Sequence, residues 1–298
     1  MKLVGNGKYK YEVDRDWLRK KPKFWNLGQC ADVGIDSHDN VWLFSRSKHP
    51  ITYWTNDGDF IGSWGNSGDQ YGEFKVPHGL YVDSQDKIWL ADHQTHLITK
   101  HDHDGEILLE LGIYGYASIT INTTGGNGDP FNNPTGVALS SDGKIFVSDG
   151  YGNRRVHRFS DKGVLEQSWG EAGINPGQFS ILHKVGVDLS DNVYICDREN
   201  NRIQIFDTNG QYLKQWDDLA GPGDIYFTDD NLAYVVEQGG GNGVSIWTDS
   251  GDLITRWRGD SDACVAAHGC AVDSKGNIFV AEIGEEGAGQ RVTKFTRL

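Results

Sequence analysis

Basic residues are scarce in this sequence. It has 28 lysines and arginines against 42 aspartates and glutamates in 298 residues, which gives a formal net charge of −14 at pH 7. Nucleic acids and anionic membrane surfaces are both bound through positive charge. The charge balance therefore argues against both partners, whereas it leaves protein and small-molecule partners open.

Long apolar segments are also absent. The first residues, MKLVGNGKYKYEVDRDW, contain no apolar core of the kind found in a secretion signal. No later stretch approaches the roughly 20 apolar residues that a transmembrane helix needs. We therefore expect the protein in the cytoplasm, unless a leader has been trimmed, and we expect it to be capable of existing as a monomer.

Cysteine is rare, and the four cysteines form no CxxC pair that would indicate a zinc or redox motif. Most of them stand in apolar segments typical of strands, so we expect buried, reduced thiols. In an oxidising compartment Cys264 and Cys270 could instead meet in a disulfide. The other two are Cys30 and Cys196.

The sequence does contain a degenerate repeat. One copy consists of a slot residue, a few small or apolar residues, a turn with an acidic or small residue, and an apolar strand that ends in Asp or Glu. Six copies are present, and their slot residues are Ala31, His78, Thr135, His183, Asp224 and His268. The slots are 47, 57, 48, 41 and 44 residues apart, which is the usual spacing of four-stranded propeller blades.

This repeat predicts an all-β fold, a single six-bladed β-propeller over residues 1–298. Each copy continues with further alternating segments, which complete the four strands of a blade. The predicted blades cover residues 26–65, 72–112, 130–170, 177–217, 220–258 and 264–298. The last has only three strand segments, so we expect the alternating stretch 8–13 to add the fourth and close the ring.

Histidine occupies the slot in every second copy, at His78, His183 and His268. Alternate blades of a six-bladed ring are related by a threefold rotation, so these imidazoles are predicted to converge at the mouth of the central channel. Three neutral histidines with an open fourth position are typical of a catalytic zinc site. The pattern therefore predicts a site for zinc or another divalent transition metal. The alternative is three hydrogen-bonded channel residues without a metal.

Three further polar residues stand where second strands end. Tyr151 and Arg198 follow the acidic ends in copies three and four, and Arg46 has the comparable place in copy one. If these turns lie on the same face as the slots, all three side chains lie over the metal, where a guanidinium suits a carboxylate. The simpler alternatives are a packed turn residue for Tyr151 and a surface ion pair with Asp197 or Glu199 for Arg198.

Several motifs together indicate a family. SDGYGNRRV contains Tyr151, DRENNRIQ contains Arg198 and VPHG contains His78. Through these motifs the stretch 129–207 resembles the NHL-repeat propeller of the peptidyl-α-hydroxyglycine α-amidating lyases. The resemblance implies a lyase that cleaves an N-acyl hemiaminal, a carbon bearing both a hydroxyl group and an amide nitrogen, into an amide and glyoxylate.

The resemblance also implies roles for particular residues. The zinc ligands would be His78, His183 and His268. Tyr151 matches the family's catalytic tyrosine, which is proposed to take the hydroxyl proton, and Arg198 and Arg46 match its active-site arginines. The substrate would be a small molecule or peptide that carries a carboxylate.

The chain departs from the family in three places. Gly269 stands where the lyases have an acidic residue that helps to hold a structural calcium, so a calcium site is not expected. Gly152 replaces the cysteine after the catalytic tyrosine, so that family disulfide cannot form. The stretch 112–133, rich in Gly, Asn and Thr, is long enough to be a lid over the site or a plain insertion.

Two other functions stay open. A metal-dependent lactonase of the six-bladed gluconolactonase type would use carboxylate and Asn ligands for a calcium-like ion. The slots here hold three histidines and one carboxylate, Asp224, which favours zinc. A non-catalytic NHL scaffold that binds proteins would need neither alternating histidines nor Tyr151 and Arg198. The sequence therefore favours the lyase.

Overall fold

The chain folds as an all-β, six-bladed propeller, as predicted. A computed structural model describes residues 2–18, 25–118, 131–259, 263–285 and 290–298. The stretch 112–133, considered above as a lid, falls largely on residues 119–130, which lie outside the described residues. No helix in the described ranges has the length and apolar character needed to cross a membrane.

The strands follow one another in chain order around the ring. An N-terminal hairpin contains β1 (Lys2–Asn6) and β2 (Tyr9–Asp14). Blade one contains β3 (Gln29–Ile35), β4 (Val41–Arg46), β5 (Ile51–Trp54) and β6 (Phe60–Trp64). Blade two contains β7 (Pro77–Val82), β8 (Ile88–Asp92), β9 (Leu97–His101) and β10 (Ile107–Gly112). Blade three contains β11 (Gly136–Leu139), β12 (Ile145–Asp149), β13 (Arg155–Phe159) and β14 (Leu165–Trp169).

A short parallel pair, β15 (Glu171–Ala172) and β16 (Gln178–Phe179), precedes the next blade. Blade four contains β17 (Leu182–Val187), β18 (Val193–Asp197), a 3₁₀ turn (Arg198–Asn200), β19 (Arg202–Phe206) and β20 (Tyr212–Trp216). Blade five contains β21 (Pro222–Phe227), β22 (Ala233–Glu237), β23 (Gly243–Trp247) and β24 (Leu253–Arg258). Blade six contains β25 (Ala267–Val272), β26 (Ile278–Ile283) and β27 (Gln290–Arg297).

The N-terminal strand closes the ring, as expected from the stretch 8–13. β2 pairs antiparallel with β27, with Val13 opposite Phe295. The pairing covers the edge of blade six, which would otherwise present unpaired backbone groups. The sequence did not predict β1, which adds a fifth strand outside β2.

The turns between first and second strands follow from one local rule. In blade one Asp36 accepts backbone N–H groups two and four residues later, and Asp39 takes a left-handed conformation with φ of 60°. Asp83 and Asp86 repeat this arrangement in blade two. Aspartate supports such turns because its side chain bonds to nearby backbone and tolerates positive φ. The acidic turn position of the repeat therefore has a structural cause.

In five of the six blades, the acid at the end of the second strand accepts a backbone N–H from the segment just before the slot. Asp197 accepts the N–H of Ser180, three residues before His183. Asp149 does the same for Asn132, three residues before Thr135. The equivalent pairs in the other blades are Asp92 with Lys75, Glu237 with Ala220, and Glu282 with Val265. This repeated bond fixes where each slot residue enters the channel.

The slot residues lie at irregularities in the first strands. The pairing register skips His78, His183 and His268, as it skips Ala31. A β-bulge re-aims the side chain at the extra residue. In blade five the skipped residue is Gly223. Our assignment of Asp224 to that slot was therefore wrong by one residue.

The core lies in the seams between blades. One cluster joins Trp42 and Phe44 of blade one to Leu80 and Leu90 of blade two, and equivalent clusters fill the other seams. Burial of each such side chain contributes about 1.5–3 kcal/mol to the free energy of unfolding. All four cysteines are buried, and burial raises the pKa of the Cys196 and Cys270 thiols well above its usual value. Packing between blades therefore keeps the ring, and the channel at its centre, in one arrangement.

Candidate metal centre

The three slot histidines meet on the axis of the ring. Their ring centroids are 4.8 Å apart for His78 and His183, 4.8 Å for His78 and His268, and 4.7 Å for His183 and His268. One nitrogen from each ring lies within 4.8 Å of the others. The sequence prediction that alternate slots converge thus agrees with the geometry, and the cluster is small enough for one ion.

The odd-numbered slots orient these histidines. The Nδ1–H of His78 donates to the carbonyl of Thr135 at 2.8 Å, and that of His268 donates to the carbonyl of Ala31 at 2.6 Å. The Nδ1–H of His183 donates to the carbonyl of Gly223 at 2.6 Å. Each histidine therefore bonds to the slot of the next blade. The odd-numbered slots thus provide backbone oxygens to the histidines.

These hydrogen bonds determine the protonation state. With Nδ1 as the donor, Nε2 of each ring carries the lone pair that a metal needs. Burial lowers the pKa of His183 well below its usual value, and it lowers the pKa of His78 in the same way, with His183 and His268 adding to the effect. Burial lowers the pKa of His268 to about 3. All three rings are therefore neutral at pH 7.

The donor set fits a zinc ion. Nε2 of His183 is buried and has no hydrogen-bond partner in the described structure, and such an orphaned nitrogen is costly unless a ligand engages it. Three neutral imidazoles, each braced through Nδ1 by a carbonyl, match the ligand and outer-shell pattern of catalytic zinc sites. His78, His183 and His268 are thus the residues that could hold the metal.

Tyr151 and Arg198 lie on the same face as the histidines. The Tyr151 hydroxyl donates to Nε2 of His78 at 3.0 Å, and its ring is 6.0 Å from that of His183. The guanidinium of Arg198 lies 5.8 Å from the centre of the Tyr151 ring. Arg198 also forms the ion pair with Glu199 that the sequence offered as an alternative. The arginine thus connects a surface carboxylate to the metal side of the channel.

Arg46 reaches the same side of the channel from blade one. Its Nε donates to the carbonyl of Pro77 at 3.1 Å, next to His78, and its Nη1 donates to Gln29 at 2.7 Å. Its positive charge contributes to the low pKa of both His78 and His268. The structure therefore brings all six predicted site residues to one end of the propeller.

Two further residues at this end were not predicted from the sequence. His93 lies 5.8 Å from His78 and 5.6 Å from Tyr151, measured between ring centroids. Gln238 accepts a hydrogen bond from Arg198 at 3.2 Å. Both directly follow the acid of a second strand, the position that Arg198 holds in blade four. That shared position was the sequence signal that could have identified them.

His93 has the opposite tautomer to the slot histidines. The side-chain amide of Asn133 donates to its Nδ1 at 3.1 Å, so its proton resides on Nε2. Burial, with a smaller effect from Arg46, lowers the pKa of His93 to about 4. At pH 7 it is a neutral hydrogen-bond donor rather than a metal ligand.

The residues that directly follow the slots of blades one, four and five form a buried charge cluster. Lys184 forms ion pairs with Asp32 and, at 3.5 Å, with Asp224. Burial lowers the pKa of Lys184, but the two carboxylates outweigh it and raise the value above normal. A side chain at Gly269 would have its Cβ 2.0 Å from Asp32. Position 269 therefore has no room for a side chain unless Asp32 moves.

The sequence matches the model of the NHL repeat at residues 131–159 and 179–206. It is 28% identical over 297 residues to NHL repeat-containing protein 3 of Mus musculus, covering 92% of this chain and 82% of the mouse protein. Among solved structures, a gluconolactonase from Xanthomonas campestris has the same fold, with a TM-score of 0.67, 14% identity, and coverage of 91% of this chain and 87% of that chain.

Amidating enzymes are also relatives. The chain is 31% identical over 238 residues to peptidylglycine alpha-amidating monooxygenase of Rattus norvegicus, covering 68% of this chain and 23% of that protein. It is 34% identical over 125 residues to peptidyl-alpha-hydroxyglycine alpha-amidating lyase 1 of Drosophila melanogaster, covering 39% of this chain and 22% of that protein. The matches span about a quarter of the length of these amidating enzymes. The chain is therefore an NHL-repeat propeller whose homologues include amidating lyases.

Proposed function

We propose that this propeller is a zinc-dependent lyase that cleaves an α-hydroxyglycine-like N-acyl hemiaminal into an amide and glyoxylate. The observation that carries the proposal is the Tyr151 hydroxyl, which lies 3.0 Å from Nε2 of His78 at the three-histidine cluster. A titratable hydroxyl group and a candidate metal site thus lie at the same point in the channel. The amidating enzymes among the relatives support the same chemistry.

The reaction needs one proton to move and one bond to break. Zinc bound to the histidines would supply a Lewis acid for the substrate hydroxyl. Tyr151, as its phenolate, is the side chain placed to take the hydroxyl proton as a general base and to return that proton to the nitrogen. The electron pair of that O–H bond forms the aldehyde C=O, the pair of the C–N bond passes to nitrogen, and nitrogen regains a proton. The products are an amide and glyoxylate, and no water is consumed.

The two arginines orient the substrate. Arg46 and Arg198 come from blades one and four, on opposite sides of the ring, and both approach Tyr151. A guanidinium binds a carboxylate through two parallel hydrogen bonds. The substrate is therefore a small molecule or peptide with a carboxylate beside the reacting carbon.

The first experiment measures metal content and glyoxylate release together. We expect about one zinc ion per chain by elemental mass spectrometry, and glyoxylate released from α-hydroxyhippurate. The variant His78→Ala/His183→Ala/His268→Ala should lose both. Tyr151→Phe should keep the zinc and lose about 10²- to 10⁴-fold in kcat, the range expected for a general base.

The matched control removes three exposed histidines instead, as His38→Ala/His49→Ala/His103→Ala. It should keep both metal and activity. Zinc binding without glyoxylate release from any N-acyl-α-hydroxyglycine would refute the lyase and leave the metal site standing. Absence of metal in the wild-type protein, even after zinc is added, would refute the mechanism and favour a protein-binding scaffold.

A further inference from the structure

Blade five contributes to the metal end of the channel in a different way from the other blades. Its slot residue is Gly223, and a Cβ added there would lie 2.7 Å from Nε2 of Gln238 and 2.8 Å from its Cδ. The amide of Gln238 therefore occupies the space that a slot side chain would take. The backbone carbonyl of Gly223 holds Nδ1 of His183, so this amide lies beside a candidate metal ligand.

The orientation of the Gln238 amide is fixed from two sides. Its backbone N–H donates to the carbonyl of Gly221 at 2.8 Å, which anchors the residue. Its Oε1 accepts from Nη1 of Arg198 at 3.2 Å. Because a guanidinium can only donate, the oxygen of the amide must face Arg198 and the NH₂ group must face the Gly223 side.

The NH₂ group of Gln238 has no partner. Its Nε2 is buried and forms no hydrogen bond within the described part of the chain. Nε2 of His183, the adjacent metal ligand, is likewise buried and without a partner. A buried donor without an acceptor is unfavourable until something supplies one. The site thus contains an uncharged donor next to the metal position.

We propose that Gln238 is a specificity-determining residue that donates a hydrogen bond to the acyl carbonyl oxygen of the substrate. This inference rests on the proposed function. The guanidiniums of Arg46 and Arg198 suit the carboxylate, whereas an amide N–H is matched to a neutral carbonyl oxygen. An N-acyl hemiaminal has both groups, one on each side of the reacting carbon. Gln238 therefore selects N-acylated substrates over hydroxy acids of similar shape.

The test compares two ligands that differ only in the acyl amide. Hippurate has the carboxylate and the carbonyl but no hydroxyl to react, and 4-phenylbutanoate replaces its CO–NH unit by two methylenes. By calorimetry on the zinc-loaded protein, we expect hippurate to bind about tenfold more tightly, the value of one neutral hydrogen bond. In Gln238→Leu this preference should disappear, while the affinity for 4-phenylbutanoate stays within about twofold.

Two further variants separate substrate contact from bracing of Arg198. Gln238→Asn keeps the amide but shortens the side chain by one methylene. Gly223→Ala puts a methyl group where the Gln238 amide lies. Both variants should lose the preference for hippurate. Gln85→Leu, at an exposed residue of the opposite end of the channel, should keep it. Zinc content, measured on each variant, confirms that the site is intact.

The outcomes distinguish the two proposals. If wild-type protein binds hippurate and the preference survives in Gln238→Leu and Gln238→Asn, the role of Gln238 is refuted and the lyase stands. An equal loss of affinity for both ligands would make Gln238 a brace for Arg198 and also refute the inference. If the zinc-loaded wild-type protein binds neither ligand, both proposals fail.

Discussion

At the residue scale, one buried ammonium lies between two carboxyl groups in the channel, and burial raises the pKa of one of them, Asp32, to about 7. Lys184 comes from blade four, Asp32 from blade one and Asp224 from blade five. Asp32 also accepts the N–H of Leu80 in blade two, and Asp224 accepts that of Cys270 in blade six. The cluster thus connects five of the six blades just beyond the histidines. None of the three charged groups is solvated, so each is stabilised by the others.

Removal of the ammonium should destabilise the protein strongly. In Lys184→Met two buried carboxylates lose their counter-charge, and loss of one partner of a buried pair typically costs about 3–5 kcal/mol. We expect a decrease of that size in the free energy of unfolding, measured by urea denaturation. The double variant Lys184→Met/Asp224→Asn removes one charge of each sign. It should recover part of the lost free energy of unfolding.

The control is Lys144→Met. Lys144 pairs with Glu166 at 2.8 Å, and both side chains are about 30% exposed. Such a surface pair contributes only about 0–1 kcal/mol. A loss in Lys184→Met no larger than in this control would show that the buried cluster is not held by charge balance.

Some slot residues could be recognised from the sequence, and others could not. The slots of blades two, four and six could be recognised because histidine is a chemically distinctive residue. The slot of blade five could not be recognised, because a glycine has no side chain to distinguish it. The adjacent Asp224 was therefore assigned to the slot instead. The interval of 14 residues from slot to strand-end acid, shared by His78 and Asp92 and by Gly223 and Glu237, was the better guide.

At the element scale, the ring depends on a strand from the other end of the chain. β2 pairs with β27, and its Tyr11 is fully buried against Trp257 of blade five. The strand therefore both completes the sheet of blade six and fills the seam with its neighbour. β1, by contrast, pairs only with β2 within the described sheet order.

Deletion of residues 1–14 should open the ring. The edge of β27 would be exposed and the packing of Tyr11 lost, which by itself costs about 3–5 kcal/mol for a large aromatic side chain. We expect the melting temperature to fall by about 10 °C or more. The exposed edge should also cause association, visible by light scattering after size-exclusion chromatography.

The matched truncation removes residues 1–7 only. It takes away β1 but leaves β2 paired with β27. This shorter truncation should keep most of the melting temperature of the full-length protein and the same oligomeric state in solution. If the two truncations behave alike, ring closure by β2 does not determine stability.

At the scale of the whole molecule, burial of neutral histidines couples stability to pH. The folded-state pKa of His268 is about 3 and that of His93 about 4, and the values for His78 and His183 are also low. In the unfolded chain each histidine titrates near 6.5. Below that pH the unfolded state takes up protons that the folded state does not, so stability is full above about pH 6.5 and decreases as the pH falls.

For the metal-free protein in chelator, we expect each of these buried histidines to lower the free energy of unfolding by about 2 kcal/mol between pH 7.5 and pH 5. Urea denaturation at both pH values measures the difference. The His78→Ala/His183→Ala/His268→Ala variant should show a much smaller dependence on pH. The His38→Ala/His49→Ala/His103→Ala control should keep that of the wild type, and equal slopes for the two variants would contradict the prediction.

The architecture and the three histidines that could hold a metal were predictable from the sequence. A repeat of fixed spacing predicts blades because each blade needs the same strands and turns, and the acid at each strand end has a local bond to make. Alternating histidines then converge by symmetry alone. The stretch 8–13 was also identifiable, because a ring with a three-stranded last blade leaves an edge that must be covered.

How these residues act together depends on contacts that form only in the folded ring. The carbonyls that orient His78, His183 and His268 belong to other blades, so no local pattern reveals the tautomers. The side chain of Gln238 fits beside Gly223 because glycine leaves space for it, and the two residues come together only after β21 and β22 pair. Contacts across the seams and the channel join residues distant in sequence, and their geometry exists only when the ring is closed.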